Sequence, residues 1–160
     1  MVSSAVLTFD LSVEIRRPPA TVFALLADIQ DFEPIPRDAV VTLVKEPSGP
    51  TEVGTRWHER VRLAPHIWLH VENLVSEADA PHRLTIDARS SWMTAHLTYE
   101  IEPVADGSVL RQHETLRLRA LPRWLGPYIE RRLRPRLHRR LSDIKAILEA
   151  PPSSGTPSTA

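Results

Sequence analysis

Residues 123–149, RWLGPYIERRLRPRLHRRLSDIKAILE, decide the architecture. Leu133, Leu137, Leu141, Ile144 and Leu148 recur at spacings of three and four, which on a helix makes one apolar stripe. Arg131, Arg134, His138 and Lys145 fall on the other side. Ahead of Leu133 the stripe is rotated, because Trp124, Leu125, Tyr128 and Ile129 occupy another sector. Pro135 removes one backbone hydrogen bond from the helix interior, so a kink is expected there. A helix this long, apolar along one side only, needs an apolar surface to lie on.

The upstream sequence supplies that surface as strands. Leu7, Phe9, Leu11, Val13 and Ile15 alternate with Thr8, Asp10, Ser12 and Glu14, the pattern of a strand with one buried face. Pro18 and Pro19 end it and suit the first turn of a helix. Val22, Phe23, Leu25, Leu26 and Ile29 then follow helical spacing, and a second short helix is expected around Asp31–Ile35, stopped by Pro34 and Pro36. Six more strands are expected over Ala39–Val44, Thr55–Leu63, His66–Glu77, Arg83–Ser90, Met93–Glu102 and Val109–Arg119. Asp106-Gly107 is the expected hairpin turn before the last of them. An antiparallel sheet of this size twists and curls. Only the C-terminal helix is long enough to cover its concave face, and a curled sheet closed by one helix leaves internal space, the default site for a ligand.

The order and several local patterns resemble the START-like (SRPBCC) superfamily, which includes polyketide cyclase/dehydrase and lipid-transport proteins. The opening Val13-Glu-Ile15-x-x-Pro-Pro-x-x-Val22-Phe23-x-x-Leu26-x-Asp28 carries the resemblance, with Val53-Gly54-Thr55-Arg56 followed by an aromatic. Val75-Ser-Glu77-x-x-x-Pro81-x-Arg83-Leu84, Tyr99-Glu-Ile-Glu-Pro103-x-x-x-Gly107-Ser108 and the closing Leu141-x-x-Ile144-Lys145 extend it. Together these span about residues 9–149. The resemblance implies an α+β helix-grip fold: a curved six- to seven-stranded antiparallel sheet around a long C-terminal helix, with two short helices after the first strand. It implies a START-like ligand-binding domain over 1–149. The Pro, Ser, Thr, Gly and Ala of 150–160 are too small and polar to pack, so a disordered tail is expected.

Composition narrows the function classes. The chain has 160 residues, 42% apolar and 25% charged, which suits one ordinary globular domain. It contains no cysteine, which removes disulfides, thiolate metal sites and cysteine nucleophiles together. Met1–Phe9 lacks a basic region followed by a long apolar one, so no secretory signal is expected and a cytoplasmic protein is the simplest reading. No window is apolar enough to span a bilayer. The sequence has no Gly-rich phosphate loop, no G-x-S-x-G and no His-Glu-x-x-His, and its histidines are not at metal-ligand spacing, so neither metal nor cofactor is expected. Charge is unevenly placed. Residues 1–54 hold Arg16, Arg17, Arg37 and Lys45 against eight acids, whereas residues 117–140 hold nine arginines and the single acid Glu130. No nucleic-acid reader fold accompanies that cluster. It reads as a solvated helix face or as a peripheral contact with an anionic membrane or acidic partner.

The candidate site residues are polar groups on apolar faces. Glu59 shares a strand face with Trp57 and Val61, and Gln112 and Glu114 share one with Leu110, Leu116 and Leu118. A buried carboxylate is costly without a partner, and a desolvated one holds its proton more tightly, which suits a general acid or base. The plain alternative is that each acid pairs with a strand arginine or turns outward at a register break. The fourth strand has two readings. Apolar period puts Ile67, Leu69, Val71 and Val75 inside. Resemblance to the aromatase/cyclase branch puts Trp68, His70, Glu72 and Leu74 there instead, which makes His70 and Glu72 acid/base candidates. That branch typically has a serine and an arginine where Glu72 and Leu74 stand, and a tryptophan where Phe32 stands. The catalytic candidates are therefore Glu59, His70, Glu72 and Glu114. The ligand-binding candidates are Trp57, Glu59, Trp68, Tyr99, Gln112, Glu114, Ile129, Leu133 and Leu137. Three functions compete: a polyketide cyclase or dehydratase working by acid/base catalysis, a non-catalytic carrier or sensor for a lipid- or steroid-like molecule, and a docking protein using the Arg-rich helix. The partner common to the first two is a small hydrophobic molecule; monomer and homodimer both remain open.

Overall fold

A computed structural model of the chain describes residues 4–28, 40–120 and 123–151. The elements are β1 (Ala5–Ile15), α1 (Pro19–Ala27), β2 (Val40–Glu46), β3 (Arg56–Ala64), β4 (Ile67–Asp79), β5 (Arg83–Arg89), β6 (Met93–Val104), β7 (Gly107–Leu118), a single 3-10 turn (Arg123–Leu125) and α2 (Gly126–Glu149). The strands form one seven-stranded antiparallel sheet in the order β1-β7-β6-β5-β4-β3-β2. This is the helix-grip architecture. The second short helix expected around Asp31–Ile35 and most of the expected tail, from residue 152 on, lie outside the described residues.

Alternation sets which face each strand buries. In β1 the side chains of Ala5, Leu7, Phe9, Leu11 and Ile15 are buried while their neighbours face solvent. Pro19 opens α1, which needs no N–H at that position, and Val22 and Leu26 turn inward. The hairpin between β6 and β7 is tighter than the sequence suggests. Its turn is Ala105-Asp106, and Gly107 already pairs with Val104. Gly107 has φ +152°, and a Cβ there would collide with the Ile15 carbonyl oxygen, so only glycine lets this hairpin approach the end of β1.

The interior is divided. One cluster joins Leu11, Ile15, Val22, Leu26, Trp57, Val75, Leu84, Ile86, Tyr99, Ile101 and Leu110 to Leu141 and Ile144 of α2. A second joins Ala5, Leu7, Phe9, Leu116 and Leu118, with Ile129, Leu133 and Leu137 of α2 only partly buried against it. The helix continues through Pro135 in one uninterrupted span, the proline standing on its exposed side. Its C-terminal end is tied to the turn after β1. The Arg16 backbone N–H donates to Glu149 Oε1 at 2.8 Å, and Arg17 Nε donates to the Leu148 carbonyl at 2.7 Å. Ser108 Oγ donates to the Arg17 carbonyl at 2.7 Å, which fixes that turn to β7.

Candidate functional site

Between the concave face and the N-terminal half of α2 lies a cavity of about 460 Å³. Its walls are apolar: Leu69 and Val71 of β4, Ile86 of β5, Leu97 of β6, Leu116 and Leu118 of β7, and Ile129, Leu133 and Leu137 of α2. Trp92, Met93 and Leu118 place its mouth at the end of the sheet where β6 starts and β7 ends; Trp92 lines the cavity and is still 36% exposed.

Ionisable groups enter these walls from three elements. Glu59 comes from β3, Glu114 from β7 and Arg140 from α2. Glu59 Oε1 accepts from Asn73 Nδ2 at 2.9 Å, and Glu114 Oε2 accepts from Gln112 Nε2 at 3.0 Å. Burial pushes the Glu59 carboxyl above its ordinary range, against the opposing pull of the Arg140 guanidinium and the Asn73 amide. Glu114 is raised in the same way, by burial, against Arg140 and the Gln112 amide. The charge of one guanidinium therefore acts on two carboxyls. With both acids ionised the site is one charge short of neutral, so each acid competes for the cation or keeps a proton. That arrangement can donate a proton from one carboxyl while the other accepts one.

The neighbouring core holds further polar atoms. Tyr99 and Gln112 are directly opposed across β6 and β7 and are fully enclosed. Trp57 Nε1, Tyr99 Oη and Gln112 Oε1 are buried with no hydrogen-bond partner among the described residues. Burial raises the Tyr99 phenol, with Arg140 acting against it and the Glu114 charge adding to it. Gln112 therefore holds Glu114 from behind the wall; the cavity surface itself includes neither Gln112 nor Tyr99. Of the candidates, Trp57, Glu59, Glu114, Ile129, Leu133 and Leu137 line the cavity together.

The fourth strand follows its apolar period. Leu69, Val71 and Val75 are buried and Asn73 faces the cavity. Trp68, His70 and Glu72 therefore point to the convex face, and the expectation that they reach the cavity is corrected. Trp68 lies there under the Arg60 guanidinium at 4.4 Å, and His70 is exposed. Glu72 and Leu74 instead border an outward groove of about 570 Å³ with Arg56, Asp87, Arg89, His96 and Arg117. That groove is larger than the cavity, but its charges are wetted and partly paired, as in the 2.6 Å contact of His96 Nδ1 with Asp87 Oδ1. Desolvated acids make the inner cavity the chemically distinctive one.

The sequence reading passed over Arg140 and Asn73, and saw Trp92 only as one of several aromatics, with Trp57, Trp68 and Tyr99, that could stack on a ring-bearing ligand. Arg140 was legible: it lies seven residues after Leu133, three after Leu137 and four before Ile144, on the apolar stripe itself. Asn73 occupies the inward position between Val71 and Val75. Trp92 sits in a turn, where no period applies.

Residues 6–149 match the family described as polyketide cyclase / dehydrase and lipid transport. No curated protein sequence matches the chain. Among solved structures, an uncharacterised protein from Rhizobium leguminosarum is similar with TM-score 0.70 at 11% identity, covering 92% of this chain and 97% of the other. Norcoclaurine synthase from Thalictrum flavum, in complex with dopamine and hydroxybenzaldehyde, gives TM-score 0.61 at 13% identity over 91% and 88% of the two chains. The di-domain ARO/CYC BexL gives TM-score 0.69 at 15% identity, covering 92% of this chain and 51% of that one. At these identities the likeness is one of fold.

Proposed function

We propose that this chain, which belongs to the polyketide cyclase/dehydrase and lipid transport family, holds a small and largely apolar molecule under α2 and moves a proton on its polar part. The observation that carries the reading is the meeting of Glu59, Glu114 and Arg140 in one apolar cavity. Such groups cost stability where they sit, so the cavity is built for a polar feature of its occupant as well as for hydrocarbon. Trp57 lines the same wall, and its Nε1, buried without a partner among the described residues, is a donor available to an oxygen of that molecule if the ring turns toward it. Similar folds include an enzyme bound to dopamine and hydroxybenzaldehyde and an ARO/CYC protein, so this scaffold accommodates catalysis on ring-bearing compounds. The chemistry proposed here rests on this chain's own acids.

A cyclisation or dehydration fits the pair. In a dehydration the ionised carboxyl, favoured by the Arg140 charge, takes a proton from the carbon next to the departing hydroxyl. The protonated carboxyl gives its proton to that hydroxyl, which leaves as water while the C=C bond forms. In an aldol cyclisation the ionised carboxyl takes the proton of the attacking carbon as it bonds to a carbonyl carbon elsewhere in the chain, whose oxygen takes the proton of the other carboxyl. Native mass spectrometry of the protein purified from its host identifies the bound molecule. With that molecule or its precursor in hand, Glu59→Gln and Glu114→Gln should each lower turnover by about 100-fold or more while affinity changes little. Turnover in both variants equal to the parent's would take the acids out of the chemistry, and no turnover by the parent would leave a carrier, whose acids only hold the polar end. A protein that never carries or binds an apolar molecule would remove the cavity reading itself.

A further inference from the structure

The Arg-rich stretch plays no part in the cavity beyond Arg140, and it has its own geometry. Gly126 packs against Ala5 and Leu7, and both Ala5 and Met93 pair with Leu118. The start of α2 therefore sits at the same end of the sheet as the cavity mouth. Arg119 is held there too, its backbone N–H donating to the Trp92 carbonyl at 2.7 Å. At this end Trp124 is 75% exposed and Tyr128 55% exposed. Large aromatics left in water beside an apolar opening mark a contact surface. Arg131, Arg132, Arg136 and Arg139 are exposed along α2 away from the sheet, with the Arg132 guanidinium 5.3 Å from the Tyr128 ring centre. The acid of this stretch, Glu130, is engaged by Arg134 at 2.5 Å.

We infer that this end of the molecule docks on an anionic bilayer surface, with Trp124 and Tyr128 at headgroup depth and the outward arginines of α2 on the lipid phosphates and carboxylates. Charge complementarity selects an anionic partner. The exposed aromatics select a lipid surface over an acidic protein or nucleic acid, because their rings are apolar with one polar tip and belong at a membrane–water boundary. No helix among the described residues is long and apolar enough to cross a membrane, so the contact is peripheral. Docking stands on this face alone, whatever the cavity holds.

Vesicle sedimentation tests it, using pure phosphatidylcholine against an equimolar mixture with phosphatidylserine, at low and physiological salt. The protein should bind the mixture, not pure phosphatidylcholine, and lose affinity as salt rises. Changing Arg131, Arg132 and Arg139 together to Gln should weaken binding about 100-fold, at about fivefold for each basic residue near the surface. Trp124→Ala with Tyr128→Ala should weaken it about tenfold while preserving the salt dependence. All five side chains are exposed, so circular dichroism should show every variant folded. Absence of binding at low salt, or equal binding to both vesicles, would overturn the proposal. So would tight binding to a soluble polyanion such as heparin that the aromatic variant leaves intact together with vesicle binding, since the face would then serve an acidic macromolecule.

Discussion

The two halves of α2 do opposite work on the same sheet. The C-terminal half presses Leu141 and Ile144 into a filled core and is tied down at Leu148 and Glu149. The N-terminal half spans space: Ile129, Leu133 and Leu137 are only partly buried because one side of each faces the cavity. The difference teaches that one apolar stripe, continuous in sequence, supports stability at one end and binding at the other. What changes between the ends is how far the facing side chains fill the space: Val22, Leu26, Leu84 and Ile101 fill the first, whereas Leu7, Phe9, Leu116 and Leu118 pack against the second and, among the described residues, leave a cavity beside it.

Truncation is the sharpest way to break that contrast. Ile144→Ala, at a fully enclosed position, should cost about 2–5 kcal/mol in a denaturant titration. Leu133→Ala should cost below about 1 kcal/mol, because it enlarges a space that already exists and forfeits fewer contacts. Equal costs would mean that the halves are packed alike.

The cavity acids give a smaller effect with a definite sign. Burial raises the folded-state carboxyls of Glu59 and Glu114, so the folded form binds their protons more tightly than the unfolded chain does. Stability then falls as pH rises from the ordinary carboxylate range through the folded value, and the full cost is present above it. Glu114→Gln should accordingly stabilise the protein relative to the parent at about pH 8, with the gain fading by about pH 4. Urea titrations at both pH values check this; a gain that persists in acid would point to altered packing instead. Glu149 behaves in the opposite sense and more weakly. The Arg16 backbone N–H holds its carboxyl below the usual range, so its contribution is present above the ordinary carboxylate range and is lost as pH falls through the lowered value. Glu149→Gln should thus lower the melting temperature slightly at neutral pH and leave it unchanged in strong acid.

The contrast also marks what was readable from sequence. The succession of strands along the chain and the covering helix followed from alternation and from the stripe of Leu133, Leu137, Leu141 and Ile144, because core periodicity is written one residue at a time. For β4 the apolar period was the sound guide and likeness to a branch of the superfamily was not, since Leu69, Val71 and Val75 all bury carbon that an opposite register would have wetted. Glu59 and Glu114 were visible as acids out of place on apolar faces. Arg140 was hidden among arginines that face water, although its position along the stripe distinguishes it. Where space remains between helix and sheet is a matter of tertiary volume, and no local pattern encodes it.

The pairing of β1 with β7 also has a consequence in time. Asp10 and His113, 103 residues apart, face each other across that pair, so β1, once made, has no partner in this sheet until β7 follows it. Until then β1 is unpaired along both of its edges and Phe9 is uncovered, and α2, which covers it, is made later still. Contacts this distant in sequence make folding slow, because β1 must wait for both β7 and α2. During that interval the nascent chain carries the exposed strand most prone to pair with a neighbouring polypeptide.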